Sequence, residues 1–412
     1  MPRNGPADAG AERLMNSAAP VRWRAIAALT AVSALAQVGQ FGIGFMVLPV
    51  WLAHRGLDAP RAGLFSAAQW TGMLAGLLVT PWLMARIGAK RTVSLGLAAT
   101  LVAFATLSVL SWPLWLVPGL LTGFGIGLRW IANETWLYSL VPAQSSGRVV
   151  GVHEALIATA GVAGPALAAW CAVDGRITFM AGAAFTFAAA LPLWLTASDE
   201  KRPAADKALR VRNSNRPQRL AVGPLVSLGM VVIAAGGIGD GALYGLFPLF
   251  AESRGLGATQ TATLLTLFGV GGMALQYPVG WLADRAGLAA TVIVCAALST
   301  LAICGFALAA PASWLAAASA LLLGGMNSSY ITLGMYAAAC SEKSALTRNM
   351  RLLSLIFTAS SIVGPLAAGF AMQARGSDML MWQLALASGA LAAYTLGLRE
   401  GRRQPERSSS LG

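Results

Sequence analysis

An all-α membrane protein of twelve spans is the fold class the sequence predicts, built as two pseudo-symmetric six-helix bundles with both termini in the cytoplasm. Three observations carry the prediction. Apolar stretches recur along nearly all of the 412 residues, basic residues alternate between the two sides of those stretches, and the second half repeats the first at an offset near 200 residues.

The composition is that of a lipid-embedded chain. Hydrophobic residues make up 57% and charged residues 11%, against about 25% charged in a soluble domain, and the mean hydropathy is +0.66. A water-soluble enzyme, a disordered chain and a disulfide scaffold are excluded. A membrane helix needs about 20 mainly apolar residues. Twelve stretches have that length, near 25–52, 61–85, 91–111, 114–139, 149–172, 177–197, 220–251, 258–283, 290–310, 313–339, 351–374 and 379–398. Backbone groups in lipid must be satisfied internally, so these are helices. The alternating segments of about 10 residues that a membrane barrel requires are absent.

Lys and Arg set the orientation. With the N-terminus in the cytoplasm, 23 basic residues fall on the cytoplasmic side and five (Arg55, Arg61, Arg176, Arg254, Arg375) on the other. This distribution accounts for most of the net charge of +13 without a nucleic-acid partner. Residues 1–22 are polar and lack a signal-peptide pattern, so they read as a disordered cytoplasmic tail before a retained first span. The expected units are a bundle over 23–197, a polar cytoplasmic linker over 198–219, a second bundle over 220–398 and a tail over 399–412.

Self-similarity between the halves is the most informative feature. Pro49 to Gly56 reads PVWLAHRG, and Pro248 to Gly255 reads PLFAESRG, 199 residues later. PWLMARIGAKR (Pro81 to Arg91) is matched at 199 by GWLADRAGLAA (Gly280 to Ala290). Gly164-Pro165 is matched by Gly364-Pro365, and Arg148 by Arg348, at 200. Four matches at nearly one offset indicate a duplicated six-helix unit.

With these motifs the chain resembles the major facilitator superfamily of secondary transporters over about residues 20–400. That family carries G-x-x-x-D-R-x-G-x-[RK]-[RK] between spans two and three and a weaker copy between spans eight and nine. Here the first copy has Arg86, Gly88, Lys90 and Arg91, with Pro81 and Ala85 in place of the Gly and Asp. The second has Gly280, Asp284, Arg285 and Gly287 without the trailing basic pair. AGVAGPALAA around Gly164-Pro165 is similar to the family's antiporter motif, and both Gly-Pro pairs are candidate hinges. Glu134-Thr135-Trp136-Leu137 is similar to a stretch of a poorly characterised bacterial subgroup. The resemblance implies an alternating-access fold that works as one chain in a bacterial inner membrane.

The loop motif has a physical reading. Its Gly lets two helices meet tightly, and an Asp there can accept from a facing helix N-terminus. The family's pseudo-twofold arrangement places Asp284 opposite the start of span five, near Arg148, where it would hold the cytoplasmic side closed. The alternative is that the basic residues only set topology.

Ionisable groups within spans are expensive and therefore candidate functional residues. Asp240 in AAGGIGDGALYG lies about 11 residues, or ~16 Å, from the outer end of span seven. Gly236, Gly237, Gly239, Gly241 and Gly245 surround it, and such glycines can open a helix beside a cavity. It reads either as a proton-coupling or binding residue, with Tyr244 one turn on, or as a structural acid paired with a buried Arg. Arg129 in span four can hold a carboxylate or phosphate through paired N–H groups or neutralise Asp240, with Asn133 on the same face. Folding spans four and five as a hairpin puts Glu134 level with His153 and Glu154, giving either a proton path or a hydrogen-bond cluster.

By the resemblance, spans one, four, seven and ten line a central cavity. Gln37 and Gln40 in span one, and Asn327 and Tyr330 in span ten, then complete a ring of polar groups in an otherwise apolar wall. The four cysteines have no metal-ligand spacing with His54 or His153 and read as inert thiols, so neither a metal nor a cofactor is expected. No ATP-binding motif is present. The leading expectation is proton-coupled export of a small amphipathic molecule. Uptake of an organic anion or zwitterion is the second, and a non-transporting membrane sensor is the reading of a different class.

Overall fold

The computed structural model describes residues 22–107, 109–141, 146–171, 176–196, 223–311, 313–341 and 345–409. These form twelve helical elements and, among the described residues, no strand. The first bundle contains α1 (Trp23–His54), α2 (Ala59–Ile87), α3 (Ala89–Leu107), α4 (Leu116–Leu140), α5 (Ser146–Cys171) and α6 (Arg176–Ala188, continued by Ala190–Leu195). The second contains α7 (Pro224–Ser253), α8 (Ala258–Ala286), α9 (Leu288–Leu308), α10 (Trp314–Ala339), α11 (Leu346–Arg375) and α12 (Met379–Ser409). Residues 1–21 of the tail expected over 1–22, and the linker expected over 198–219, lie outside the described residues, and α12 continues past the boundary expected at 398.

The twelve helices match the expected twelve spans, and ten of them are long and apolar enough by length and composition alone to cross a membrane. The other two, α4 and α10, are long enough but less apolar. Arg129, Asn133 and Glu134 lower the mean of one, and Asn327, Ser328, Ser329 and Tyr330 lower that of the other. Both pack within their own bundles, α4 on α2 and α3 and α10 on α8 and α7, so protein rather than lipid surrounds much of their polar faces.

The sequence repeat is also a repeat of backbone geometry. At the outer turns Gly56 and Gly255 have φ of 80° and 77°, and at the cytoplasmic turns Gly88 and Gly287 have 86° and 79°. That left-handed region favours glycine at each position. The bond from the Leu57 N–H to the Leu52 carbonyl recurs from Leu256 to Ala251. The Thr92 hydroxyl caps Gly88 at 2.8 Å as the Thr291 hydroxyl caps Gly287 at 3.0 Å. Arg86 lies 4.4 Å over the Trp82 ring and Arg285 4.1 Å over Trp281.

Two local expectations change. The glycines of α7 do not open it, because the helix is continuous from Pro224 to Ser253. They admit neighbours instead. A Cβ at Gly237 would lie 3.0 Å from Ser360 Cβ, one at Gly241 2.8 Å from the Pro365 ring, and one at Gly245 2.5 Å from Ser66. The helix that departs from regular geometry is α1, whose residues Gln37–Val47 adopt wide π-type turns, a form frequent at functional sites. Gly42 in that segment meets Gly164 of α5 so closely that a Cβ on Gly164 would lie 2.6 Å from the Gly42 carbonyl carbon. Gln69 of α2 donates to the Gly44 carbonyl at 2.9 Å.

The bundles join at their outer and middle thirds. One buried apolar cluster contains Val47, Trp51 and Phe65 together with Phe247, Phe250 and Phe268. Helix α2 packs on α11 and α5 on α8. Phe41 meets Tyr244 edge to face at 6.1 Å, and Trp70 meets Phe357 at 5.7 Å. Thr159 contacts Met273. Toward the cytoplasm, Leu78 and Trp82 of α2, Val152 and Leu156 of α5, and Tyr277 and Trp281 of α8 are exposed.

Candidate translocation site

Two polar centres occupy the middle of the molecule, one in each bundle. The first is built on Arg129 of α4, 1% exposed. Its Nε donates to Gln40 Oε1 at 3.0 Å and its Nη2 to Gln37 Oε1 at 3.3 Å. Gln40 is held from behind, its Nε2 donating to the Thr100 hydroxyl at 2.7 Å and the Gly96 carbonyl at 3.2 Å. Both glutamines start the π-type segment of α1, so the wide turns bring two amides three residues apart onto one guanidinium. Gly96 lets α3 approach, since a Cβ there would lie 2.8 Å from the Arg129 backbone nitrogen. The described hydrogen-bond partners of this buried cation are thus neutral amides. Asn133, one turn on, does not join them. It donates to the Leu29 carbonyl and the Ser33 hydroxyl, both at 2.8 Å, and ties α4 to α1.

The second centre is Asp240 of α7, 8% exposed. It accepts a hydrogen bond from Asn327 Nδ2 of α10. It makes no ion pair among the described residues, so the suggested pairing with Arg129 does not form in this structure. Tyr244 is half-buried one turn away, against Phe41 of the opposite bundle. Tyr330, expected in the same ring of groups, points elsewhere. Its hydroxyl lies 3.0 Å from Ser299 on α9 and 3.3 Å from Ser388 on α12, and it packs the second bundle internally. Sequence reasoning missed Phe41, Trp70 and Phe357, the aromatic rings that close the space between the bundles. Only their depth in the spans hinted at them.

Near the cytoplasmic end, the α4–α5 hairpin brings together Glu134, His153 and Glu154, with ligating atoms within 4.8 Å of one another. Glu134 accepts from Trp130 Nε1, and Glu154 Oε1 accepts from the Tyr138 hydroxyl at 3.0 Å. His153 Nδ1 lies 3.2 Å from the Thr30 hydroxyl.

The motif residues divide by role. Lys90 Nζ donates to the Thr196 carbonyl at 2.6 Å and caps the last turn of α6, where a cation is favoured. Arg91 is exposed. Gly280 and Gly287 have open space where a Cβ would go. Asp284 is exposed beside Tyr336 of its own bundle, and the side chain of Arg148 lies outside the described residues. The Gly-Pro pairs mark tight crossings. Gly364 lies against Ile238 of α7, and the Pro365 carbonyl faces Gly63 of α2.

This arrangement has parallels among known proteins. The sequence profile of the Major Facilitator Superfamily matches residues 29–340 and 229–411. An uncharacterized MFS-type transporter of Enterobacter sp. strain 638 is 27% identical over 372 residues, covering 87% of this chain and 91% of the relative. One from Escherichia fergusonii is 24% identical over 351 residues, covering 83% and 87%. Among solved structures, the nucleoside transporter NupG superposes with a TM-score of 0.70 at 12% identity, covering 90% of this chain and 98% of that one. A D-xylose-proton symporter gives 0.69 at 14%, covering 90% and 97%. At these identities the structural likeness is one of fold.

Proposed function

The chain belongs to the major facilitator superfamily and is a multi-pass membrane transporter rather than an enzyme, and from that premise we propose that it couples proton movement to export of a small amphipathic molecule across a bacterial inner membrane. It works as a single chain, the two bundles rocking about Asp240 and Arg129. The observation that carries the coupling is the environment of Asp240, a carboxyl buried in the middle of α7 whose described hydrogen-bond partner is a neutral amide. An isolated charge out of water is costly. Such a carboxyl exchanges its proton as its surroundings alternate between wet cavity and closed protein. The aromatic wall of Phe41, Tyr244 and Phe357 suits an apolar cargo.

One observation favours a second reading, uptake of an organic anion or zwitterion. Arg129 is a buried cation whose described hydrogen-bond partners are the amides of Gln37 and Gln40, and a substrate carboxylate beside Gln37 would complete it. A transport screen across reconstituted vesicles separates the two. Amphipathic cations and neutral drugs moving against a proton gradient, with Arg129→Gln retaining most of that flux, is the expected result. Organic anions moving instead, with flux lost in Arg129→Gln, establishes uptake.

The closed outer seam and the exposed Asp284 fit a state open toward the cytoplasm. In this proposal Asp284 engages the start of α5 only when the cytoplasmic side closes. Asp284→Asn is therefore expected to raise the inward-facing population, read as faster cytoplasmic-side labelling of a cysteine placed in the cavity. Unchanged labelling contradicts that role.

A further inference from the structure

Neither coupling reading uses the cluster that the α4–α5 hairpin builds near the cytoplasmic end. We propose that Glu134, His153 and Glu154 form a binding site for a divalent transition-metal cation of the zinc type. A search of cysteine and histidine spacing cannot find such a site, because two of its three ligands are carboxylates brought together by the hairpin.

His153 supplies the observation that points to a ligand. The ring is fully buried. Its Nδ1 is engaged by the Thr30 hydroxyl at 3.2 Å, while its Nε2 is buried with no hydrogen-bond partner. A buried polar atom left unsatisfied calls for an explanation such as an unseen ion. The ligating atoms of Glu134 and Glu154 lie within 4.8 Å of that imidazole and of each other.

The surroundings match what a metal site requires. A ligating histidine is normally oriented by a hydrogen bond at its other nitrogen, and ligating carboxylates are themselves hydrogen-bonded. Thr30 does this for His153, Trp130 for Glu134 and Tyr138 for Glu154. Each carboxylate is held through Oε1, which leaves Oε2 for a ligand.

Charge and geometry select the ion. The two carboxylates supply the negative charge that a divalent cation needs beside a neutral imidazole, in competition with the Arg129 guanidinium, which acts on Glu134 and His153. Imidazole in the set favours zinc and its first-row neighbours over magnesium or calcium, which take oxygen ligands. Zinc bonds of about 2.0–2.1 Å place tetrahedral ligand atoms ~3.3 Å apart. A closing movement of at most about 1.5 Å then suffices, and Glu154, which is exposed, is free to make it. Its exposure also leaves the fourth position to water. Bound there, the ion bridges α4 to α5.

The test uses the purified full-length protein in detergent with Zn²⁺ or Co²⁺ alone as probe. Expected are a saturable, one-to-one rise in unfolding temperature with Zn²⁺, none with Mg²⁺ at the same concentration, and Co²⁺ absorption typical of a tetrahedral nitrogen–oxygen site. Glu154→Gln, at an exposed position that does not disturb the core, is expected to weaken binding at least tenfold, as is His153→Asn if it folds. A variant with Cys171, Cys295, Cys304 and Cys340 all replaced by Ala is expected to bind as before. Loss of binding in that cysteine-free variant, undiminished binding in Glu154→Gln, or no saturable binding by the wild type would each overturn the proposal.

Discussion

Asp240→Asn is expected to abolish proton-driven accumulation of substrate while leaving the protein folded and able to exchange substrate down its gradient. Asn has the shape of Asp, and its side-chain carbonyl can still accept from Asn327, so the α7–α10 contact survives. What disappears is the group proposed to carry a proton between the two sides. The drop in uphill flux should be at least 100-fold, equivalent to about 2.7 kcal/mol, with the unfolding temperature little changed. Accumulation assays and equilibrium-exchange assays on the same vesicles check this. Loss of both activities together with a fall in thermal stability would instead make Asp240 a structural residue.

The second large effect is expected at Gly63 on the outer seam. A Cβ there would lie 3.2 Å from the Pro365 carbonyl carbon and 3.5 Å from Gly369 Cα, both on the opposite bundle. Gly63→Val therefore overpacks the junction between bundles rather than the interior of one. Overpacking costs typically 1–3 kcal/mol. When that falls on one of two conformers, it shifts their ratio by about 5- to 150-fold. The outward-facing population should rise accordingly, measured as labelling of Phe41→Cys by a membrane-impermeant maleimide added from outside. Gly42→Val provides the contrast, because Gly42 meets Gly164 within one bundle, and its cost should appear as a lower unfolding temperature. Unchanged outside labelling in Gly63→Val would mean that the seam does not govern access.

These expectations show what the sequence made legible. The helices and the repeat were readable because apolar length and turn glycines act locally, and Gly56 with Gly255 and Gly88 with Gly287 adopt the same left-handed turns. The convergence of Gln37, Gln40 and Arg129 was half-readable. Mid-depth polar groups on spans one and four suggested it, but the wide turns of α1 that aim both glutamines at the guanidinium leave no pattern in the residues. Depth alone also misled for Tyr330, since it does not say which face of α10 a side chain occupies. Asn327, three residues earlier, faces Asp240, while the Tyr330 hydroxyl reaches Ser299 and Ser388. The glycines around Asp240 signalled a special segment, yet whether they open a helix or admit a neighbour depends on what packs there. The rings of Phe41, Trp70 and Phe357 meet only when the bundles are assembled, and periodicity carries no trace of that contact.

In the proposed mechanism substrate and proton cross this membrane together by way of Asp240. Its most direct test records internal pH and substrate content together in reconstituted vesicles, for the wild type and Asp240→Asn side by side. Adding a transported amphipathic compound is expected to move protons in the wild type and none in the variant. Equal substrate movement in both proteins with no proton movement in either would contradict it.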